Sequence, residues 1–273
     1  MKVRYVKVNP VENMTIFVLD PVPRKFHMEI SNKLMNYNNI HGEQVGFIEK
    51  EEGFIKLQMM GGEFCGNASR SLAAFMVYSR YPNLRKLGNK YEVTLKTSGI
   101  EGLITCKVTP TEKENVFFSE IDMPLPISVK ECCFKEDDNM VNSIRVNLPG
   151  ITHFIVDIHE VKNKDEFFKI VKKKMDKEEY HAFGIMYYDR KNNFLTPLVY
   201  VKGTDSLYWE RSCASGTASL GAALAYENKT SISKNIQQPG GKLEVSAYLK
   251  SNDIDSIKLN GLVEIVSEGI VYL

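Results

Sequence analysis

Two ten-residue segments of this sequence begin with a cysteine that is followed by small residues. Residues 65–74 (CGNASRSLAA) recur as residues 213–222 (CASGTASLGA), with matches at the cysteine and six, seven and nine residues later. Each segment leads into a helical pattern, a polar loop and a pair of strand-like runs, which is the layout of an internal repeat. The repeat predicts that Cys65 and Cys213 occupy equivalent places at the starts of two helices.

A helix start suits a cysteine that does acid–base chemistry. Small residues such as Gly66 and Ala214 leave the first backbone N–H groups open, and these groups attract an anion together with the helix dipole. The same field lowers the pKa of a neighbouring thiol towards thiolate. We therefore expect each helix start to bind a substrate carboxylate beside a reactive sulfur.

Two thiols on opposite faces of one carbon fit a single class of reaction. Inversion of an α-carbon without a cofactor needs a base on one face and an acid on the other. The helix starts must then stabilise the developing negative charge, since no cofactor ring accepts it. The pattern favours a cofactor-independent amino-acid racemase or epimerase. A cysteine hydrolase would need a paired histidine but no second thiol, and a non-catalytic amino-acid-binding protein would need neither cysteine.

The other three cysteines do not share this context. Cys106 lies in an alternating run, and Cys132 and Cys133 border an acidic loop, so we interpret them as structural thiols. An odd total of five without a signal segment argues against a disulfide framework. The chain has no Cys-x-x-Cys pair and its histidines are scattered, so we expect no metal site.

The composition argues against partners that need a strong electric field. The chain has 35 basic and 34 acidic residues, a net charge of +1, which attracts neither nucleic acid nor an anionic membrane. No run approaches the ~18 apolar residues of a membrane helix. We expect a soluble, cytoplasmic protein that acts on a small amino acid. The sequence leaves its oligomeric state open, a homodimer included.

The elements that position the cysteines are predicted to contain more sheet than helix. Alternating runs predict strands at residues 3–8, 14–19, 91–97, 243–249 and 261–266, the first two forming a hairpin with Asn13 at its edge. Four-residue spacing predicts a helix at 24–35, with Phe26, Ile30 and Leu34 on one face. A second helix is predicted at 164–177, with Phe167, Phe168, Val171 and Met175 turned inward.

Several motifs together resemble the diaminopimelate epimerase superfamily over essentially the whole chain. They are Cys65-Gly66-Asn67, Glu210-Arg211 followed by Cys213 and Gly216-Thr217, Gln238-Pro239-Gly240-Gly241-Lys242-Leu243, Glu43-Gln44, Asn13 and His153. The resemblance implies an α+β fold of two pseudo-symmetric domains, each a mostly antiparallel sheet wrapped around a central helix. The domains would be residues 1–118 with Cys65, completed by the C-terminal strand 262–273, and residues 119–261 with Cys213.

Departures from the epimerase pattern reduce the range of possible substrates. Ile151 and Gly184 fall at positions where epimerases have residues that bind the distal amino-acid centre. Residues 58–63 (QMMGGE) replace an Asn-Ala-Asp-Gly-Ser-Glu run of the epimerases. A second zwitterion would therefore lack partners. The departures resemble the cofactor-independent histidine racemases of opine-type metallophore pathways, which implies interconversion of L-histidine and D-histidine by the two cysteines. A diaminopimelate epimerase, or another racemase or isomerase on this fold, is the alternative.

The resemblance also implies a set of substrate-binding residues. They are Asn13, Gln44, Gly66, Asn67, His153, Glu210, Arg211, Ala214 and Ser215. Glu210 would face the substrate's ammonium, because a carboxylate three residues before a thiolate would otherwise repel it. His153 is either a core histidine or part of the site, and the short spacing from Glu210 to Cys213 leaves the role of Arg211 open. Tyr208 and Trp209 would flank an imidazole or form an apolar wall. The polar candidates for binding an imidazole are Glu43, Gln44, Gln58 and His153.

Overall fold

The computed structural model describes residues 1–273, in which strands outnumber helices. The α-helices are α1 (His27–Met35), α2 (Gly66–Tyr78), α3 (Lys164–Met175) and α4 (Ala214–Asn228), with short 3-10 turns at Arg24–Phe26 and Lys202–Thr204. The strands are β1 (Lys2–Asn9), β2 (Thr15–Val18), β3 (Gln44–Glu51), β4 (Phe54–Met59), β5 (Arg85–Leu87), β6 (Lys90–Thr97), β7 (Ile104–Pro110), β8 (Val116–Met123), β9 (Ser128–Glu136), β10 (Asn139–Leu148), β11 (Ile151–Asp157), β12 (Ala182–Asp189), β13 (Phe194–Val201), β14 (Ser206–Trp209), β15 (Ile232–Gln238), β16 (Gly241–Lys250) and β17 (Asp253–Tyr272). The predicted α+β class is confirmed.

The contacts within the chain group its residues into two units. Unit 1 contains Met1–Asp122 and Asn260–Leu273, and unit 2 contains Met123–Leu259. The domain bounds expected from the sequence, 1–118 with 262–273 and 119–261, remain a prediction. No helix of the chain is both long enough and apolar enough to span a membrane.

Unit 1 combines antiparallel strand pairs with two parallel ones. The predicted opening hairpin is confirmed as the antiparallel pair β1–β2, and β1 also pairs with β17. Further antiparallel pairs are β3–β4, β5–β6, β6–β7 and β7–β8. The parallel pairs are β2–β3, which α1 connects, and β4–β6, between which the chain forms α2. Helix α2 packs against β6 and β7 and is buried along most of its length.

Unit 2 has the same order of pairings. The antiparallel pair β10–β11 is followed by the parallel pair β11–β12 across α3, and β12–β13 is followed by the parallel pair β13–β15 across α4. Helix α4 packs against β10, β15 and β16. Its small side chains permit this, since a Cβ atom on Gly221 would lie 2.6 Å from Val245 Cγ2. Both cysteine segments thus lead into a helix enclosed by strands.

Helix α1 begins later than its sequence pattern predicts. A 3-10 turn at Arg24–Phe26 follows Pro23, and the α-helix starts at His27. Phe26 is therefore 40% exposed and does not share a face with the buried Ile30 and Leu34, so that part of the prediction is wrong. His27 takes the inward place and stacks on Phe47, with ring centroids 3.6 Å apart.

Helix α3 follows its predicted pattern. The side chain of Asn163 caps it by accepting hydrogen bonds from the backbone N–H groups of Asp165 and Glu166. The three side chains Phe167, Val171 and Met175 are buried, as predicted. Phe168 is only partly buried and packs at the edge of the same core.

A turn between β6 and β7 holds the segment that precedes Cys65. Ser98 Oγ donates a hydrogen bond to the Glu63 carbonyl at 2.6 Å and accepts one from the Met59 N–H at 3.0 Å. Gly99 follows with a φ of +77°, and a Cβ atom there would lie 2.1 Å from the backbone nitrogen of Phe64. The close approach of the two backbones therefore requires glycine at this position.

The first prediction is that Gly99→Ala lowers the free energy of unfolding by more than about 2 kcal/mol, because backbone strain adds to a backbone clash. The matched control is Gly102→Ala in the same turn, where φ is +86° but nothing lies within 4 Å of the added Cβ. That variant should lose only about 1 kcal/mol, the cost of the left-handed conformation. Urea denaturation measures both values, and equal losses would show that Gly99 is not tightly packed.

Candidate active site

The two cysteines of the repeat cap two helices with their own sulfur atoms. Cys65 precedes α2 with φ −129° and ψ 110°, and Cys213 precedes α4 with φ −119° and ψ 110°. Cys65 Sγ accepts the Ala68 N–H at 3.4 Å, and Cys213 Sγ accepts the Gly216 N–H at 3.3 Å. Serine, threonine, aspartate and asparagine usually make this third-residue capping contact. The predicted location of both cysteines at helix starts is confirmed.

The capping contact leaves earlier backbone N–H groups for an external acceptor. Gly66 begins the first turn of α2, and Ala214 and Ser215 begin that of α4. The N–H groups of these positions have no acceptor within their own helix. They carry the positive end of the helix dipole and are suited to bind a carboxylate.

Gln238 fixes the start of α4, a role that the sequence analysis missed. Its Oε1 accepts the Cys213 N–H at 2.8 Å, and its Nε2 donates to Thr217 Oγ1 at 2.8 Å. Thr217 Oγ1 in turn donates to the Cys213 carbonyl at 2.6 Å. The position of Gln238 immediately before Pro239-Gly240 was the available signal, since a buried glutamine at a strand end needs partners for both ends of its amide.

Asn13 connects several predicted substrate-binding residues at the start of α2. Its Nδ2 donates to Glu43 Oε2 at 2.8 Å, and its Oδ1 accepts Gln44 Nε2 at 2.8 Å and Asn67 Nδ2 at 3.1 Å. Gln44 Nε2 also donates to Thr15 Oγ1. The structure therefore brings Asn13, Gln44 and Asn67 together. Gln58 is buried near the end of β4, where its Nε2 donates to the Met59 carbonyl.

Arg70 extends this network into the core of unit 1 and was not predicted as a site residue. Its side chain is fully buried. Its Nε donates to Asn67 Oδ1 at 3.0 Å, and its Nη1 donates to the carbonyls of Gly261 and Leu262 at 2.9 and 3.0 Å. Burial lowers the pKa of the guanidinium to about 10, so the group stays charged at neutral pH.

The surroundings of Cys213 oppose ionisation of its thiol. Burial raises the pKa of Cys213 well above its ordinary value, and the charge and hydrogen bond of Glu210 raise it further. Hydrogen bonds from Ser215 and Gly216 act in the opposite direction but are smaller. The expected lowering of the thiol pKa is therefore wrong for Cys213, because this residue is only 5% exposed and its loss of hydration outweighs the hydrogen bonds at the helix start. Glu210 interacts with this thiol, in addition to any contact with a substrate ammonium.

His153 reaches Cys213 through one intermediate hydroxyl. The imidazole is fully buried in β11, with its Nε2 3.0 Å from Ser215 Oγ, which lies 3.5 Å from Cys213 Sγ. Burial lowers the pKa of His153 to about 3, so the ring is neutral at pH 7. Gly184 faces it across the parallel strand pair, and a Cβ there would lie 2.4 Å from Nδ1. The ring occupies the space that a side chain at 184 would need.

Three more of the predicted side chains lie in the segment that precedes Cys213. Arg211 is exposed and donates from Nη2 to the Pro239 carbonyl at 3.2 Å. Tyr208 and Trp209 are about half exposed, and Trp209 stacks on Tyr187 with ring centroids 5.8 Å apart. This stacking agrees with the apolar-wall alternative for Trp209.

The other cysteines lie outside these helix starts. Cys106 is buried in β7, while Cys132 is partly exposed and Cys133 exposed on β9. Burial raises the pKa of both Cys106 and Cys132. The structure contains no cluster of three or more histidine, cysteine, aspartate or glutamate side chains arranged to hold a metal ion.

Comparison with known proteins places the chain in a family. A family model described as the histidine racemase CntK N-terminal domain matches residues 2–272. The chain belongs to the histidine racemase family. A histidine racemase of Fusobacterium nucleatum is 37% identical over 98% of this chain and 97% of the relative, and one from Staphylococcus aureus is 27% identical over 99% and 98%. Membership of this family makes the chain an isomerase.

Solved structures share the fold of this histidine racemase family member at low sequence identity. A hydroxyproline epimerase from Agrobacterium vitis superposes with a TM-score of 0.69 at 9% identity, covering 100% of this chain and 93% of the epimerase. A predicted epimerase from Pseudomonas aeruginosa gives a TM-score of 0.66 at 10% identity, covering 98% of each chain. The epimerase-like fold is therefore shown.

The second prediction concerns the effect of Glu210 on Cys213. Glu210→Gln removes a negative charge and so lowers the pKa of the Cys213 thiol, which should speed its alkylation by iodoacetamide at pH 8 roughly three- to tenfold. Mass spectrometry of the Cys213 peptide measures the rate without interference from other thiols. Glu227→Gln is the control, because Glu227 lies in α4 but pairs with Arg190. An unchanged rate in Glu210→Gln would mean that the carboxylate does not act on this sulfur.

Proposed function

We propose that this protein interconverts L-histidine and D-histidine without a cofactor, using Cys65 and Cys213 as the base and the acid. The observation that carries the proposal is the pair of sulfur-capped helix starts in a chain of the histidine racemase family. Each start offers a thiol and unpaired backbone donors within one turn of helix. A carboxylate bound there would have its α-carbon beside a sulfur atom.

The reaction requires one thiolate and one thiol at the outset. The thiolate takes the α-proton, and the electrons of the broken C–H bond move into the carboxylate as an enediolate. The thiol then gives its proton to the opposite face of the carbon, so that the configuration is inverted and the two sulfur atoms have exchanged protonation states. Backbone N–H groups of Gly66, Ala214 and Ser215 are the proposed donors to the enediolate.

The raised pKa of Cys213 supports its role as the proton donor for one direction of this reaction. A buried thiol beside the Glu210 carboxylate keeps its proton until charge develops on the substrate. The His153 imidazole is neutral at pH 7, and its Nε2 lies 3.0 Å from Ser215 Oγ. We assign His153 to orienting the Ser215 hydroxyl against the sulfur.

The network around Asn13 supports a role in binding the substrate. Asn13, Gln44 and Asn67 fix one another's amide orientations, and Asn67 lies in the first turn of α2 beside Cys65. Glu43 belongs to the same network and is a hydrogen-bond acceptor for an ammonium or an imidazole N–H. Arg211 contacts the Pro239 backbone, and we propose that it shapes the loop before Cys213.

The third prediction is that Cys65→Ser and Cys213→Ser each abolish racemisation while the protein remains folded. Serine is nearly the same shape but does not ionise usefully near pH 7. The assay follows the optical rotation of L-histidine, with circular dichroism to verify folding. Cys133→Ser is the control, since this exposed thiol lies on β9 and should leave activity intact. More than a few per cent of activity in either helix-start variant would remove that cysteine from the mechanism.

The fourth prediction concerns the substrate. In heavy water the enzyme should place deuterium at the α-carbon of histidine while inverting it. Diaminopimelate and leucine should react at least about 100-fold more slowly in kcat/KM, because a site built to hydrogen-bond a polar side chain leaves its own groups unpaired with the wrong one. Equal turnover of diaminopimelate would contradict the histidine assignment and favour a diaminopimelate epimerase.

A further inference from the structure

The connection between β1 and β2 contains two consecutive residues in the left-handed region of backbone conformation. Val11 has a φ of +60° and Glu12 a φ of +57°. Residues other than glycine, asparagine and aspartate rarely adopt this region, and a β-branched residue such as valine is a clear outlier there. The backbone at Val11 and Glu12 is therefore strained, and such strain persists only where the surrounding structure maintains it.

Strand pairing does not require this strain. Two other pairs of consecutive left-handed residues, Glu52-Gly53 and Ser251-Asn252, form the two-residue loops of the β3–β4 and β16–β17 hairpins. Loops of that length need a positive φ at both positions. The connection from β1 to β2 instead contains five residues, 10–14, and a loop of this length is usually built around a type I turn with negative φ. The left-handed pair in this loop must serve something other than the hairpin.

The loop is fixed on both sides of the strained pair. Asn9 Oδ1 accepts the Glu12 N–H at 2.7 Å, and the Met14 carbonyl accepts the Glu43 N–H at 2.8 Å. Between these bonds the Val11 side chain is buried, with 9% of its surface exposed. Relaxing the backbone at Val11 would turn this apolar side chain towards water, which is unfavourable. Burial of Val11 therefore maintains the strain.

The residue that follows the strained pair is Asn13. Its side chain is 8% exposed, and its amide group makes three hydrogen bonds, with Glu43, Gln44 and Asn67. Asn67 lies in the first turn of α2, beside Cys65. An amide can satisfy three fixed partners only if its Cα atom has one position and one direction. The left-handed conformation of the two preceding residues provides that direction.

We propose that Val11 is a positioning residue: its buried side chain holds Val11 and Glu12 in the left-handed conformation, which directs the Asn13 amide into the substrate-binding network. The strain is thus used to orient a polar group before the substrate arrives, and this reduces the ordering that accompanies binding. Val11 acts through Asn13 and not by contact with the substrate. The inference rests on the proposed function, in which Asn13 binds the substrate.

The fifth prediction compares Val11→Gly with Ser251→Gly. Glycine adopts the left-handed conformation without strain, but it is also free to leave it. Val11→Gly should remain folded, because relief of strain offsets the lost burial, and its KM for L-histidine should rise at least about tenfold with a smaller change in kcat. Val11→Ala should change KM in the same direction but less. Ser251→Gly relieves the same kind of strain in an exposed hairpin and should leave KM unchanged.

Two further measurements separate positioning from a general loss of structure. The double variant Val11→Gly/Asn13→Ala should be no less active than Asn13→Ala alone, because Val11 acts through Asn13. Proton exchange of the Asn13 side-chain amide, followed by NMR without substrate, should be at least about tenfold faster in Val11→Gly than in the wild type. The exchange rate should be unchanged in Ser251→Gly.

Unchanged exchange of the Asn13 amide in Val11→Gly overturns the proposal, and Val11→Ala decides the question if the glycine variant does not fold. Additive losses of activity in the double variant overturn it as well. Because amide exchange needs no substrate, the two proposals can fail separately. Faster exchange in a protein that does not racemise histidine would support the role of Val11 and contradict the proposed function.

Discussion

A hydrogen bond from a helix's third residue to a cysteine sulfur holds each proposed catalytic atom in place. The bond is long and individually weak, so its geometry depends on a helix start that cannot shift. In unit 1 the Ser98–Gly99 turn fixes the segment before Cys65 through the Glu63 carbonyl. In unit 2 Gln238 binds the backbone of Cys213 directly. The strands that enclose both helices also keep the helix starts from shifting, and small residues let the strands approach α4 closely.

The two helix starts have different surroundings although their backbones are alike. A racemase with two identical thiols would gain nothing from having both ionised or both protonated, since one of each is required. Burial and Glu210 raise the pKa of Cys213, whereas α2 contains the buried cation Arg70, five residues after Cys65. Unequal surroundings separate the ionisation of two chemically equal groups, as they do in carboxylate pairs that divide acid and base roles.

The sequence allowed the cysteine helices to be predicted because their small residues and their repeat are visible in the order of the residues. The amphipathic pattern of α3 was equally readable, as the burial of Phe167 and Val171 confirms. The buried face of α1 could not be predicted correctly. A 3-10 turn after Pro23 changes the rotation per residue and so moves Phe26 off the face of Ile30 and Leu34. The pKa of Cys213 could not be predicted either, because a motif reports the helix start but not the depth at which tertiary packing buries it.

Arg70 shows why a buried charge is hard to recognise from one sequence. An arginine in a helix is usually a solvated surface residue, and the spacing of α2 alone would not contradict that. Its neighbours do carry a signal, since residues 66–78 (GNASRSLAAFMVY) contain no other charged side chain and are too apolar for an exposed helix. A lone cation in such a helix must be buried on every side. In the structure three oxygen atoms compensate its burial, the side-chain oxygen of Asn67 and the carbonyls of Gly261 and Leu262.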